Sequence, residues 1–143
     1  MALVELENWL GDGELKYQFE LPSETPSLNV IKGMNRFAYK ALRQEWQMRI
    51  FEALKFRRPK APIKRSALFI TRYCSGELDW DNALGGLKPV LDCLVLPSAR
   101  NPSGLGVITD DKPTYMPYPP YMRQLKTKPG AGRTEVLVFE LSN

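Results

Sequence analysis

Asp79-Trp-Asp81-Asn82, Lys88-Pro-Val-Leu-Asp92 and Asp110-Asp111 gather five carboxylates and a lysine into one short stretch of the chain. Acids held this densely repel one another unless positive charge sits among them. A divalent cation that prefers oxygen ligands is the usual remedy. Asp79, Asp81 and one of Asp110 or Asp111 make a three-carboxylate oxygen cage suited to one or two Mg²⁺, with Mn²⁺ able to substitute. Such an ion activates water for attack at phosphorus, and Lys88 is placed to steady charge developing on phosphate oxygens. A plainer use also fits each piece. Asp-x-Asp-Asn before a helix caps its first amides, and Asp-Asp before Lys-Pro makes a turn. Lys88 and Asp92 are an i,i+4 pair worth a few tenths of a kcal/mol on a helix.

The chain has no histidine and only two cysteines, Cys74 and Cys93. Serine and cysteine hydrolase sites that need a histidine base are therefore excluded, as is a tetrahedral zinc site of nitrogen and sulfur ligands. The cysteines form no CxxC pair and no disulfide framework, so both are expected reduced and buried. Catalysis is left to Asp, Glu, Lys, Tyr or metal-activated water.

Charge is unevenly placed. Between Lys32 and Arg65 lie eleven of the 20 Lys and Arg residues but only Glu45 and Glu52 of the 16 acids. One region is thus anion-binding and the other cation-binding, and a phosphate backbone meets both demands. Lys40, Arg43, Arg57, Arg58 and Lys60 are the expected DNA contacts. A solvated basic helix face is the bland alternative.

The elements that position these groups read as a two-layer α+β domain spanning residues 1–143. About 43% apolar and 25% charged residues is ordinary for a globular chain. Residues 14–21 alternate as a half-buried strand. Pro22 to Asn29 is turn chemistry. A helix follows from about Met34 to Phe56, with Phe37, Ala41, Met48 and Phe51 on its apolar face, widened by Ala38, Leu42 and Leu54. Trp46 and Trp9 are read as packing residues. The prolines Pro59 and Pro62 end the helix. Lys64 to Cys74 is a second strand. A second helix lies within Asn82–Leu96; Gly85-Gly86 weakens it, and it either kinks at Pro89 or starts there. Leu105–Thr109 is a short strand, Tyr115 to Met122 is too proline-rich for a central one, and Lys126 to Arg133 is a loop. Thr134–Leu141 is the last strand. The expected order is β-α-β-α-β-β: a mixed sheet of about four strands with two main helices. No stretch is long and apolar enough to span a bilayer, and the N-terminus lacks a basic secretory region. A cytoplasmic location is expected.

Together, Asp79-Trp-Asp81-Asn82, Lys88-Pro-Val-Leu-Asp92-Cys-Leu and Gly106-Val-Ile-Thr-Asp110-Asp111 resemble the motif series of the RusA-type Holliday-junction resolvases, many of them phage-borne. Pro26-Ser27-Leu28-Asn29 is similar to the family's early Pro-Ser-x-Asn turn. The resemblance covers roughly residues 20–116. It implies a Mg²⁺-dependent homodimer that nicks branched DNA in recombination and repair. It puts the metal on Asp79, Asp81 and Asp111, makes Lys88 the phosphate-facing cation and gives Asn82 a supporting role. The gap from Asn82 to Lys88 is wider than the family's, with Leu84-Gly85-Gly86 as the additional residues.

Two functions follow from this reading. One is a metal-dependent, structure-selective endodeoxyribonuclease. The other is a basic DNA-binding accessory protein without catalysis, its acids serving as caps and turns.

Overall fold

Alternation between polar and apolar residues builds the first strand, β1 (Glu14–Leu21), which buries Phe19 and Leu21 and turns Lys16, Gln18 and Glu20 to solvent. The computed structural model describes residues 13–142, so Trp9 lies outside the described residues. Two helices follow, α1 (Leu28–Lys32) and the long α2 (Arg36–Ala53). The second strand is β2 (Ser66–Cys74). Two short helices come next, α3 (Trp80–Gly85) and α4 (Lys88–Leu94). The last strands are β3 (Tyr121–Lys126) and β4 (Arg133–Glu140).

The strands form one mixed sheet in the order β1-β4-β2-β3. β4 runs antiparallel to both β1 and β2, whereas β2 and β3 are parallel. Register sets one row of Phe19, Val136, Ile70 and Met122 across all four strands, and every member is buried. This face meets the helices in the main core, with Trp46, Ile50, Val90 and Leu94 opposite it. The other face carries a smaller cluster of Ala67, Phe69, Phe139 and Leu141, in which Phe69 stacks on Tyr121 at 5.0 Å. Apolar side chains on both faces explain why β2 is buried nearly throughout. The architecture is α+β, as the sequence predicts.

Several expectations need correction. Leu105–Thr109 is not a sheet strand. It makes one isolated bridge, Ile63 to Ile108, and spends its amides on the carbonyls that end α4: Leu105 donates to Cys93, Gly106 to Val95 and Val107 to Leu94. The third strand is instead β3, which starts only after Pro120 and occupies an edge of the sheet. The element order is accordingly β-α-α-β-α-α-β-β.

Helix α2 stops well before Pro59. Lys55 and Phe56 both adopt φ of 59°, and the Phe56 amide donates back to the Phe51 carbonyl. This left-handed pair closes the helix. The buried stripe is also displaced from the expected one. Trp46 and Ile50 are buried, with Leu42, Phe51 and Leu54 packed against the core, while Phe37, Ala38, Ala41 and Met48 face outward. The expected second helix is two helices broken at Gly86-Leu87, and α4 does start at the Lys88-Pro89 step. Cys74 and Cys93 are free and buried. Among the described residues, no helix is long and apolar enough to cross a membrane.

Candidate active site and nucleic-acid interface

Parallel strands cannot be joined by a tight turn, so β2 and β3 require a long crossover. Residues 75–120 form it, and every acid of the motif series lies within it.

Its first feature is the head of α3. Asp79 is the N-cap: one carboxylate oxygen accepts from the Asn82 amide at 3.0 Å and the other from Asn82 Nδ2 at 3.0 Å. These bonds hold the Asp79 carboxyl below its ordinary pKa, because they favour the charged form. Asp81 occupies the first turn and is exposed. Asn82 uses its other end as well, since its Oδ1 accepts from the Asn29 amide at 3.0 Å. The expected turn gives way at Leu28 to α1, capped by Ser27, and this Pro26–Asn29 helix entry is thereby docked against the Asp79–Asn82 segment. The adjacent glycines permit the approach. A Cβ on Gly86 would lie 1.7 Å from the Pro26 carbonyl oxygen, and one on Gly85 would lie 2.7 Å from the Leu28 side chain. Gly85-Gly86 therefore forms the surface on which the Pro26–Leu28 segment rests.

The second feature joins α4 to α2. Lys88 Nζ lies 3.4 Å from Asp92 Oδ2, one helical turn along, and 5.2 Å from the centre of the Tyr39 ring. Tyr39 Oη donates to the same Asp92 oxygen at 2.7 Å. Burial, then the hydrogen bond and charge of Asp92, raise the Tyr39 pKa far above its ordinary value, so the phenol keeps its proton. Cys93 is pushed up to about 12, first by burial and then by the Asp92 charge. Its thiol donates to the Arg43 carbonyl at 3.3 Å and is a packing group.

The third feature is the return of the chain at Asp110-Asp111. The bonds from residues 105–107 to the end of α4 bring this pair beside Asp92. Asn101 secures the intervening loop by donating to the Asp92 carbonyl at 2.7 Å, and Arg58 reaches from beyond α2 to the Gly104 carbonyl at 3.1 Å. Asp92, Asp110 and Asp111 line one cavity of about 360 Å³ with Ser98, Asn101 and Thr109. The Asp111 carboxyl is raised, chiefly by partial burial, next by the hydrogen bond and charge of Asp110, and further by Asp92.

The predicted metal ligands thus fall into two groups. Asp79 and Asp81 stand at the head of α3, and Asp111 stands with Asp110 and Asp92. Among the described residues, no three acidic or thiol side chains form a ready cage. The donors nevertheless suit a hard cation. All are oxygens, and the repulsion loaded onto Asp111 by its neighbours is what a bound cation relieves.

A second cavity, of about 370 Å³, lies along α2 and is lined by Arg36, Phe37, Tyr39, Lys40, Arg43 and Arg100. Of the expected DNA contacts, Lys40 and Arg43 line it, with Arg36 and Arg100 beside them. Arg57 and Lys60 are exposed beyond the helix end. Tyr39 lines the cationic groove while Asp92 lines the acidic cavity, so their hydrogen bond marks the junction between the two. No spacing rule points to Tyr39, because its partner lies 53 positions away on another helix.

Fold and site together define an α+β domain with an acidic cavity abutting a cationic groove. Comparison of the chain with family models, curated proteins and solved structures gave no match.

Proposed function

We propose that this protein is a Mg²⁺-dependent, structure-selective endodeoxyribonuclease that nicks branched DNA such as Holliday junctions, acting as a homodimer in the cytoplasm during recombination and repair. One observation carries the reading: a carboxylate cavity and a cationic groove meet at the Tyr39–Asp92 hydrogen bond. A phosphodiester needs cations to hold its charge and oxygen ligands to present a metal, side by side.

Asp79 and Asp81 from the head of α3 and Asp111 from the acidic cavity, two groups not assembled as a cage among the described residues, would together hold the ion, with Mn²⁺ able to replace Mg²⁺. When bound, it supplies charge neutralisation and water activation. Lys40, Arg43, Arg57, Arg58 and Lys60 draw in and orient the backbone. Lys88, kept in place by Asp92 and the Tyr39 ring, offers its ammonium to the phosphate oxygens. Asn82 fixes the Asp79 carboxylate. Two matched nicks across a junction call for two matched sites, which a two-fold dimer supplies.

The capping role of Asp79 favours the second reading, a DNA-binding accessory protein without catalysis. Cleavage of an end-labelled four-way junction separates the two. Mg²⁺ should produce nicks in wild-type protein, and Asp81→Asn should abolish them while junction binding persists or tightens. An Asp81→Asn variant that cuts at the wild-type rate would rule out the metal site.

A further inference from the structure

Helix α2 treats its aromatic residues in opposite ways. Trp46 is 1% exposed, whereas Phe37, expected in the core from helical spacing, is 69% exposed. Phe37 stands in the groove shared with Arg36, Lys40, Arg43 and Arg100: four cations and no acid. The Arg36 guanidinium lies 4.9 Å from the centre of the Phe37 ring.

An exposed apolar ring and a set of cations make different demands on a ligand. The cations call for phosphate. The ring calls for a flat apolar face. Duplex DNA offers the first but hides the second inside its base stack. A nucleotide that has lost its pairing partner offers both, and such nucleotides occur where strands exchange at a branch. Stacking on an aromatic face works for any base, because every base has one.

We infer that the groove binds an unpaired nucleotide of DNA, its base stacked on Phe37 and its flanking phosphates held by Arg36, Lys40, Arg43 and Arg100. The choice of DNA rests on the endonuclease reading; the groove rests on its own residues. Because Tyr39 joins the groove to the Asp92 cavity, the captured nucleotide lies beside the carboxylates. Branch selectivity then comes from capture of a splayed base, and cleavage from the acids next to it.

Binding of a fluorescein-labelled oligo-dT strand and of a blunt duplex of equal length, measured in EDTA with the whole protein, tests this. Phe37→Ala should weaken strand binding on the order of tenfold or more, leave duplex binding unchanged and retain the wild-type circular dichroism spectrum. Phe37→Tyr should restore strand binding. Unchanged strand binding in Phe37→Ala, or equal loss on strand and duplex, would overturn the inference. So would sedimentation showing that Phe37→Ala splits a dimer, since the ring would then be covered by a second copy of the chain. Junction cleavage in Mg²⁺ is scored separately: a wild-type protein that never cuts but binds strands through Phe37 keeps the nucleotide site and loses the nuclease assignment.

Discussion

Tyr39 and Asp92 share a 2.7 Å hydrogen bond across 53 positions of sequence, and it ties the basic helix to the acidic crossover. Asp92 also holds Lys88, whose ammonium lies over the Tyr39 ring. Two side chains, Lys88 on α4 and Tyr39 on α2, therefore share the Asp92 carboxylate.

Tyr39→Phe keeps the ring and removes the donor. A hydrogen bond to a charged acceptor is worth about 1.5–3 kcal/mol, and the partial exposure of this pair puts the loss near the lower end. Urea denaturation should show a drop of about 1–2 kcal/mol at unchanged m. Junction cleavage should fall more than binding, because Asp92, which positions Lys88, loses the hydrogen bond that fixes it. Equal denaturation midpoints for the two proteins would mean that the bond contributes nothing.

The raised Asp111 carboxyl gives a pH dependence of definite sign. Its folded pKa exceeds its unfolded one, so the folded protein binds this proton more tightly and its stabilising effect is lost as pH rises through the folded value. Asp111→Asn should therefore raise the melting temperature at pH 7, and the gain should vanish well below the ordinary carboxylate range. Mg²⁺ should stabilise wild type at pH 7 and do so less in Asp111→Asn, because the ion binds the folded state. Asp79 acts in the opposite direction. Its lowered pKa contributes stability above the unfolded value that is lost as pH falls through the folded one. Thermal melts across pH, with and without Mg²⁺, read both effects.

Gly86→Ala sets two effects against each other. Gly86 caps the end of α3 at φ −70°, a conformation Ala also adopts, so Ala would favour folding by about 0.4–1 kcal/mol through the unfolded chain. The added Cβ would meet the Pro26 carbonyl oxygen at 1.7 Å, and that backbone is held by the Asn29–Asn82 bond. The clash wins, and net destabilisation of roughly 1–3 kcal/mol is expected. Gly76→Ala is the control, because nothing lies within 4 Å of its Cβ. Similar melting temperatures for Gly86→Ala and wild type would show that the early turn can move away.

Arg57 and Arg58 should separate. Both are expected to meet DNA, so Ala at either position should weaken binding to every DNA shape and reduce the salt slope. Only Arg58 also donates to the Gly104 carbonyl, so Arg58→Ala should lower stability by about 1 kcal/mol as well. Fluorescence anisotropy over a salt series, combined with thermal melts, distinguishes the two roles.

Strands β1, β2 and β4 were legible because alternation and apolar runs report directly on burial. β3 was not, because Tyr121–Lys126 follows three prolines and owes its strand state to parallel pairing with β2. Leu105–Thr109 looked like a strand because its residues are apolar; they are buried under the end of α4 rather than in the sheet. On α2 the helical period was right and the stripe was shifted: Leu42, Phe51 and Leu54 pack as expected, but packing against α4 and β1 selects Trp46 and Ile50 over Phe37 and Met48. Within the site, the order of acids and lysine along the chain was readable. The division of the acids into two groups and the sharing of Asp92 by Tyr39 and Lys88 were not, since both arise only when the crossover folds onto α2.

The position of β4 has a consequence for synthesis. It lies between β1 and β2, so a nascent chain that has emerged as far as β3 still lacks the strand that holds the sheet together. Until then β1 has no strand partner, although α2 can already pack on α4 and on β1 itself. Completion of the sheet is therefore withheld until residues 133–140 have left the exit tunnel.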